Sequence, residues 1–316
     1  MAETDLDVPV DASAATDRGS WLSLIDQIGA EEGYFETLGP RHWALFVDDS
    51  PTLVVSFETM DQARARQGQM PLAHSIAAAK GWSHLCLVSD GQTWFRDPAV
   101  YAYFDRLVDD AFFDGFDRVL FYGAGPSSYA ACAFCVAAPG AQVLALNPVA
   151  TLNPAQTGWD TRFRAARRQD FSSRYGYAPD MVEGCAELTM IFDPNHKPDA
   201  MHAALFYGPH STAVLARFAG SDVETVLSRL GILDEVIIQA TEGRLSPASF
   251  ATLWRSRRDD AGYLKQLLHD LENAGKKSLA ITLCRNVVNR LKLNRFRKRL
   301  ADLTATERPG STKPAG

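Results

Sequence analysis

The residues best placed to do chemistry lie in one stretch, Val119-Leu-Phe-Tyr-Gly123-Ala-Gly125-Pro-Ser127-Ser128-Tyr129. Its apolar run predicts a strand, its two glycines a tight turn, and Ser127 to Ala138 a helix stopped by Pro139-Gly140. In an open α/β sheet, a helix that starts directly after a strand brings its free amides to the strand's carboxyl end, where a polar or anionic ligand is held. Gly123, Gly125, Ser127 and Ser128 are therefore candidate ligand-binding positions, joined by Asn147 at the end of the next strand. Covalent chemistry would need a hydroxyl with a base beside it. Ser127 is the hydroxyl at hand, and His202 in Asp199-Ala-Met-His202 is the nearest base by topology, with His196 a second. Arg162, Arg164, Arg167 and Arg168, in the irregular and aromatic-rich segment Thr151 to Gly184, suit an oxyanion. They read equally well as a solvated helix face.

The elements that must position these groups alternate. Trp21 to Glu32 predicts a helix with Ser20 as N-cap. His42 to Asp48 and Thr52 to Phe57 predict strands joined by the turn Asp49-Ser-Pro51. Pro71 to Lys80 reads as a helix ending at Gly81, and Ser83 to Val88 as a buried strand. Pro98 opens an amphipathic helix to about Phe113. Gln142 to Leu146, Glu187 to Phe192 and Thr212 to Phe218 are further strands, with a helix from about Pro198 to Phe206 before the last. Near-continuous apolar strands alternating with helices predict an α/β fold, a mostly parallel, doubly wound sheet covered on both faces. Thr151 to Gly184 would form an insertion over its carboxyl edge. The expected organisation is a disordered tail at 1–18, the α/β domain at 19–222, a helical extension packed on it at 223–304, and a disordered tail at 305–316.

The central stretch resembles the nucleophile elbow of α/β-hydrolase-like domains, in the version Tyr-Gly-x-Ser-x-Gly-Gly-Tyr-Ala-Ala of surface-glycan and accessory-secretion proteins. The resemblance covers roughly Ser83 to Val226. Matching Gly123, Tyr129, Ala130 and Ala131 places Gly125 at the nucleophile and Ser127 and Ser128 on the two following glycines. The family's acid falls on Asp193, while its histidine position, in Ala219 to Glu224, holds no His. The resemblance thus implies an α/β-hydrolase-like protein without hydrolysis, a pseudoenzyme or a binder of an anion, nucleotide or glycan; the alternative is a serine hydrolase built on Ser127, Asp193 and His202. Gly123-Ala-Gly-Pro-Ser-Ser128 also resembles the Gly-Ala-Gly-Pro-Ser-Gly start of flavin and nicotinamide enzymes, which implies a nucleotide-dependent oxidoreductase with Asn147 at the ribose. Over its whole length, through Gly81-Trp-Ser-His-Leu-Cys86, Trp94-Phe-Arg-Asp-Pro98 and Leu283-Cys-Arg-Asn-Val287, the chain resembles alphaproteobacterial proteins often labelled phosphoadenosine phosphosulfate reductase. That family's Ser-x-Gly-x-Asp-Ser loop and Glu-Cys-Gly-x-His thiol do not occur, the nearest stretch being Val88-Ser-Asp-Gly-Gln92. No particular cofactor is assigned.

Composition narrows the classes. The 316 residues contain no apolar run of about 18, so no transmembrane helix is expected. The acidic start lacks the basic and apolar regions of a signal peptide, which favours a cytoplasmic protein. Five scattered cysteines argue against a disulfide framework, and Cys132-Ala-Phe-Cys135, well inside a helix, reads as two small core residues rather than a redox pair. Asp193 and His196, or Asp199 and His202, have metal-compatible spacing but too few ligands, so no metal site is assigned. The net charge is −6, yet Gly275 to Ala301 holds nine basic residues and no acidic one, leaving about −15 elsewhere. This basic helix, 285–299, would meet an acidic protein, anionic lipid or the chain's own acidic body. Nucleic acid is not expected, because aromatic residues are not interleaved.

Overall fold

The computed structural model describes residues 11–305. Eight strands form one sheet: β1 (Gly33–Thr37), β2 (His42–Val47), β3 (Thr52–Thr59), β4 (Ser83–Ser89), β5 (Arg118–Ala124), β6 (Gln142–Leu146), β7 (Glu187–Phe192) and β8 (Ser211–Leu215). Their order is β1-β2-β4-β3-β5-β6-β7-β8. The pairs β1/β2 and β2/β4 are antiparallel and all others parallel. The turn after β2 does not make a hairpin, because β4 lies between β2 and β3. The strand β1 was not expected from the sequence.

Both faces are covered. On one, the helices Pro98–Asp109 and Pro126–Phe134 bury Phe104 and Phe134 in a stack with ring centroids 4.4 Å apart, over Phe57 and Phe121 of the sheet. On the other, the helix Arg18–Glu32 places Trp21, Ile25 and Ile28 against Trp43, Leu45 and Cys86. The helices Leu72–Lys80 and Leu233–Thr241 pack on β3, β4, β5 and β6. The result is a mostly parallel, doubly covered α/β sheet whose strand order and central strand–turn–helix are α/β-hydrolase-like.

Local chemistry sets the element ends. Asp17, not Ser20, is the first N-cap: its side chain accepts from the Ser20 N–H, and Ser20 returns the bond as the third helical residue. The amino-terminal tail expected through residue 18 is packed from position 11 on, with Ala12 and Ala15 buried beside Trp21. Ala305, expected to start the second tail, still closes the helix Asn294–Ala305, while residues 1–10 and the rest of that tail, 306–316, lie outside the described residues. The last strand ends at Leu215, short of the expected Phe218, whose φ of 63° takes the backbone out of strand geometry. Cys132 and Cys135 are buried, and burial pushes both thiols well up, as inert core residues require. The chain forms two compact units, one ending at Thr252 and one starting at Leu253. The helices Val223–Arg229 and Leu233–Thr241 belong to the first, and Lys277–Leu291 and Asn294–Ala305 to the second. No helix among the described residues is long and apolar enough to cross a membrane.

The bend after β5 needs Gly123. A Cβ there would lie 2.2 Å from the Ser127 carbonyl oxygen. Gly123→Ala is expected to destabilise the fold by about 3 kcal/mol, read as a lower denaturant midpoint; an unchanged midpoint would show that the bend tolerates the methyl group.

Candidate functional site

The strand β5 ends at Ala124 and a helix begins at Pro126, so the whole reversal falls on Gly125. Its φ of 55° and ψ of −121° are open to glycine at no steric cost. Its N–H donates to the Leu146 carbonyl of the neighbouring strand at 2.8 Å, which fixes the bend against β6. Beyond its chain neighbours, a Cβ at Gly125 would have no atom within 4 Å, so there is room where a nucleophile's side chain would stand, but no side chain. Pro126 takes the first helical position, as proline favours. It also removes the N–H that, following the nucleophile, supplies half of an oxyanion hole. This loss is visible in the sequence once the apex is assigned to Gly125.

The sequence-predicted catalytic groups are not assembled. Ser127 is buried just past the apex, and no hydrogen bond links it to a histidine. His202 is fully buried with both ring nitrogens engaged. The Ala150 N–H donates to Nδ1 at 3.2 Å, so Nε2 carries the proton and donates to Asp160 Oδ2 at 2.9 Å. It has no lone pair left for Ser127. Asp193 stands after β7, where the acid of a triad belongs, but its carboxylate is spent on backbone and amide donors. Oδ1 accepts from the N–H and the side-chain amide of Asn195, each at 3.0 Å, and Oδ2 accepts from the Gly220 N–H at 2.9 Å. A main-chain amide thus fills the place where a histidine would donate.

The candidate binding residues divide. Gly123 and Ser128 hold the bend itself. The Ser128 hydroxyl donates to the Gly125 carbonyl at 2.6 Å and accepts from the Val149 N–H at 3.1 Å. Asn147 is likewise consumed: Oδ1 accepts from the Val223 N–H at 2.8 Å, and Nδ2 donates to Asp199 Oδ2 at 2.6 Å. It is not free to hold a ribose. Gly125 and Ser127 stay at the apex, and Arg164 is exposed. Arg162 is internal: its guanidinium binds both Asp160 and Asp199, whose carboxylates are fully buried. Burial alone would raise the Asp160 carboxyl, but bonds from His202 and Arg162 overcome it and hold Asp160 well below the usual carboxylate range. Arg167 bonds to the carbonyls of Thr157 and Asp160. The arginines of the segment mostly stitch it together. Arg96, from the loop after β4, anchors it further through the carbonyls of Asp170 and Arg174. In the stretch Val88 to Gln92 the first two residues end β4 and Asp90 to Gln92 form a bend, with the Asp90 carbonyl accepting from Arg41 at 2.5 Å.

The sequence reading missed a second polar group at the carboxyl ends of β3 and β5. Glu58 ends an apolar strand, pairs with Arg66 and accepts from the Leu72 N–H at 2.7 Å. Tyr122, next to the bend, donates to Glu224 at 2.6 Å, and Glu224 comes from the stretch where the triad histidine would be sought. Burial pushes the Glu58 carboxyl up to about 7 against the pull of Arg66, with Glu224 adding to the rise. Glu224 is itself raised by burial. A carboxylate closing a strand of Leu, Val and Phe was the available signal. Arg66 and Glu224 line a cavity of about 300 Å³.

No family model and no curated protein matches the chain. Solved structures similar to it include MPT51 of Mycobacterium tuberculosis, at 13% identity over 66% of this chain and 98% of that one, with a TM-score of 0.44. Carboxyl esterase 2 from Tuber melanosporum is 10% identical over 66% and 82%, TM-score 0.44. An S-formylglutathione hydrolase from Agrobacterium tumefaciens is 14% identical over 67% and 92%, TM-score 0.42. Likeness at this level carries nothing about chemistry, and the architecture rests on the strand order and the bend. The phosphoadenosine phosphosulfate reductase label gains no support.

Glu58 makes stability depend on pH. Between the ordinary glutamate value of 4.5 and about 7, the folded chain keeps a proton that the unfolded chain releases. Its contribution is full below 4.5 and lost as pH rises through about 7. Glu58→Gln should therefore flatten the fall in denaturation midpoint over that window. Parallel pH profiles for the two proteins would remove Glu58 as its source.

Proposed function

We propose that this chain is a non-hydrolytic member of the α/β-hydrolase architecture, a protein that holds a small polar ligand over the bend at Gly125 and does not transfer its acyl group. The observation that carries the reading is the apex: glycine where a nucleophile would stand, followed by proline where an oxyanion donor would stand. Acyl transfer needs a nucleophile, a base and a stabilised oxyanion. Asp193, bonded to Gly220, and His202, bonded to Ala150 and Asp160, support the same reading from the side of the base. The space above Gly125, with Ser127 beside it, suits a carboxylate or carbonyl ligand.

Two measurements test this. Purified protein treated with a serine-reactive fluorophosphonate should remain unlabelled; labelling that Ser127→Ala abolishes would restore the hydrolase. Short-chain carboxylates should raise the melting temperature, and Gly125→Ala, which puts a methyl group into the open space, should reduce that rise. Carboxylates that leave the melting temperature unchanged would refute the binding half.

A further inference from the structure

The charge of the chain divides with its compact units. From Leu253 on there are fifteen Lys and Arg against six Asp and Glu, in a protein whose overall charge is −6. Within this unit, the helices Ala261–Asn273 and Asn294–Ala305 contribute the lining of a cavity of about 570 Å³. That volume lies within the range of small-molecule sites, roughly 300–1,000 Å³. Lys265, His269, Arg295, Lys298 and Arg299 line it, against Glu272 and Asp302.

The donors are arranged as well as numerous. Arg299 is fixed by its Nε, which donates to Glu272 Oε1 at 2.6 Å, while Nη1 lies 3.9 Å from Asp302. This leaves the outer face of its guanidinium for another acceptor. The Asn273 side-chain amide donates to His269 Nε2 at 2.9 Å, so the proton of that ring sits on Nδ1 as a further donor. Among the described residues, Lys265, Arg295 and Lys298 enter no ion pair. Arg295, Lys298 and Arg299 come from one helix, Asn294–Ala305, and Arg295 lies in its first turn, where the backbone's own partial charge is also positive. Glu272 and Asp302 offset only part of this, and an anion of two or more charges offsets the rest.

We propose that this groove binds a phosphate-bearing anion carrying at least two negative charges. Guanidinium and ammonium groups converging on one space match phosphate oxygens, and charge-assisted bonds supply the strength. The site is separate from the bend at Gly125 and does not depend on the reading given to it.

The test uses the full chain, with inorganic pyrophosphate in calorimetry and, in parallel, phosphatidylcholine vesicles with and without phosphatidic acid in co-sedimentation. Binding of pyrophosphate alone identifies a soluble ligand, and binding of phosphatidic acid vesicles alone identifies a lipid headgroup; either supports the site. Lys265→Ala with Lys298→Ala should weaken binding about tenfold or more. The control Arg285→Ala with Lys292→Ala removes the same charge from the same unit but lines no part of the cavity, and should change affinity less than about twofold. Equal weakening by both pairs would overturn the site in favour of a diffuse field. So would binding of neither probe.

Discussion

A backbone can turn from β5 into the following helix within one residue only if nothing stands between them. Gly123 provides that clearance, and the Ser127 carbonyl occupies the volume that a Cβ would need. Everything at the carboxyl edge is placed by this contact. It sets Gly125 in its left-handed conformation, puts Pro126 at the first helical position, and turns Ser128 inward to close the bend. In a hydrolase the same geometry presents a reactive side chain above the sheet. Here the geometry is kept and the side chain is absent.

On the reading proposed above, a serine at the apex would not by itself supply acyl transfer. Acyl transfer depends on a base with a free lone pair and on donors aimed at the developing charge. His202 has given both nitrogens to structure, and Asp193 has given both oxygens. Arg162 bridges two fully buried carboxylates, Asp160 and Asp199. Removing one member of such a buried set leaves an uncompensated charge, at a cost of about 3–5 kcal/mol. These polar groups therefore bind the insertion to the sheet edge. Space is left over Gly125 and, separately, in the cavity lined by Arg66 and Glu224.

Much of this was legible in the sequence, and the failures have physical causes. The parallel core could be read from apolar runs separated by helical periodicity, and the helix at Pro98 from its proline. The strand β1 could not, because Gly33-Tyr-Phe-Glu-Thr37 follows a helix without a break and has one partner only. The position of β4 between β2 and β3 is a long-range pairing that a short turn conceals. Gly125 at the apex was readable by matching Gly123, Tyr129, Ala130 and Ala131 to the elbow sequence that the stretch resembles. Whether Asn147, His202 and Asp193 were free to act was not, since each is engaged by residues distant in sequence: Val223, Ala150 and Gly220. The pairing of Tyr122 with Glu224 spans 102 positions and left no local signal.

We propose that the scaffold lacks the electronic apparatus of acyl transfer and not merely its nucleophile. Gly125→Ser tests it, because the added side chain points into open space and the positive-φ backbone costs about 1–3 kcal/mol. Intact-mass measurement of that variant after incubation with p-nitrophenyl acetate is expected to show unmodified protein. An acetyl group on the introduced serine would contradict this, since it would mean that a base and an oxyanion site are already in place.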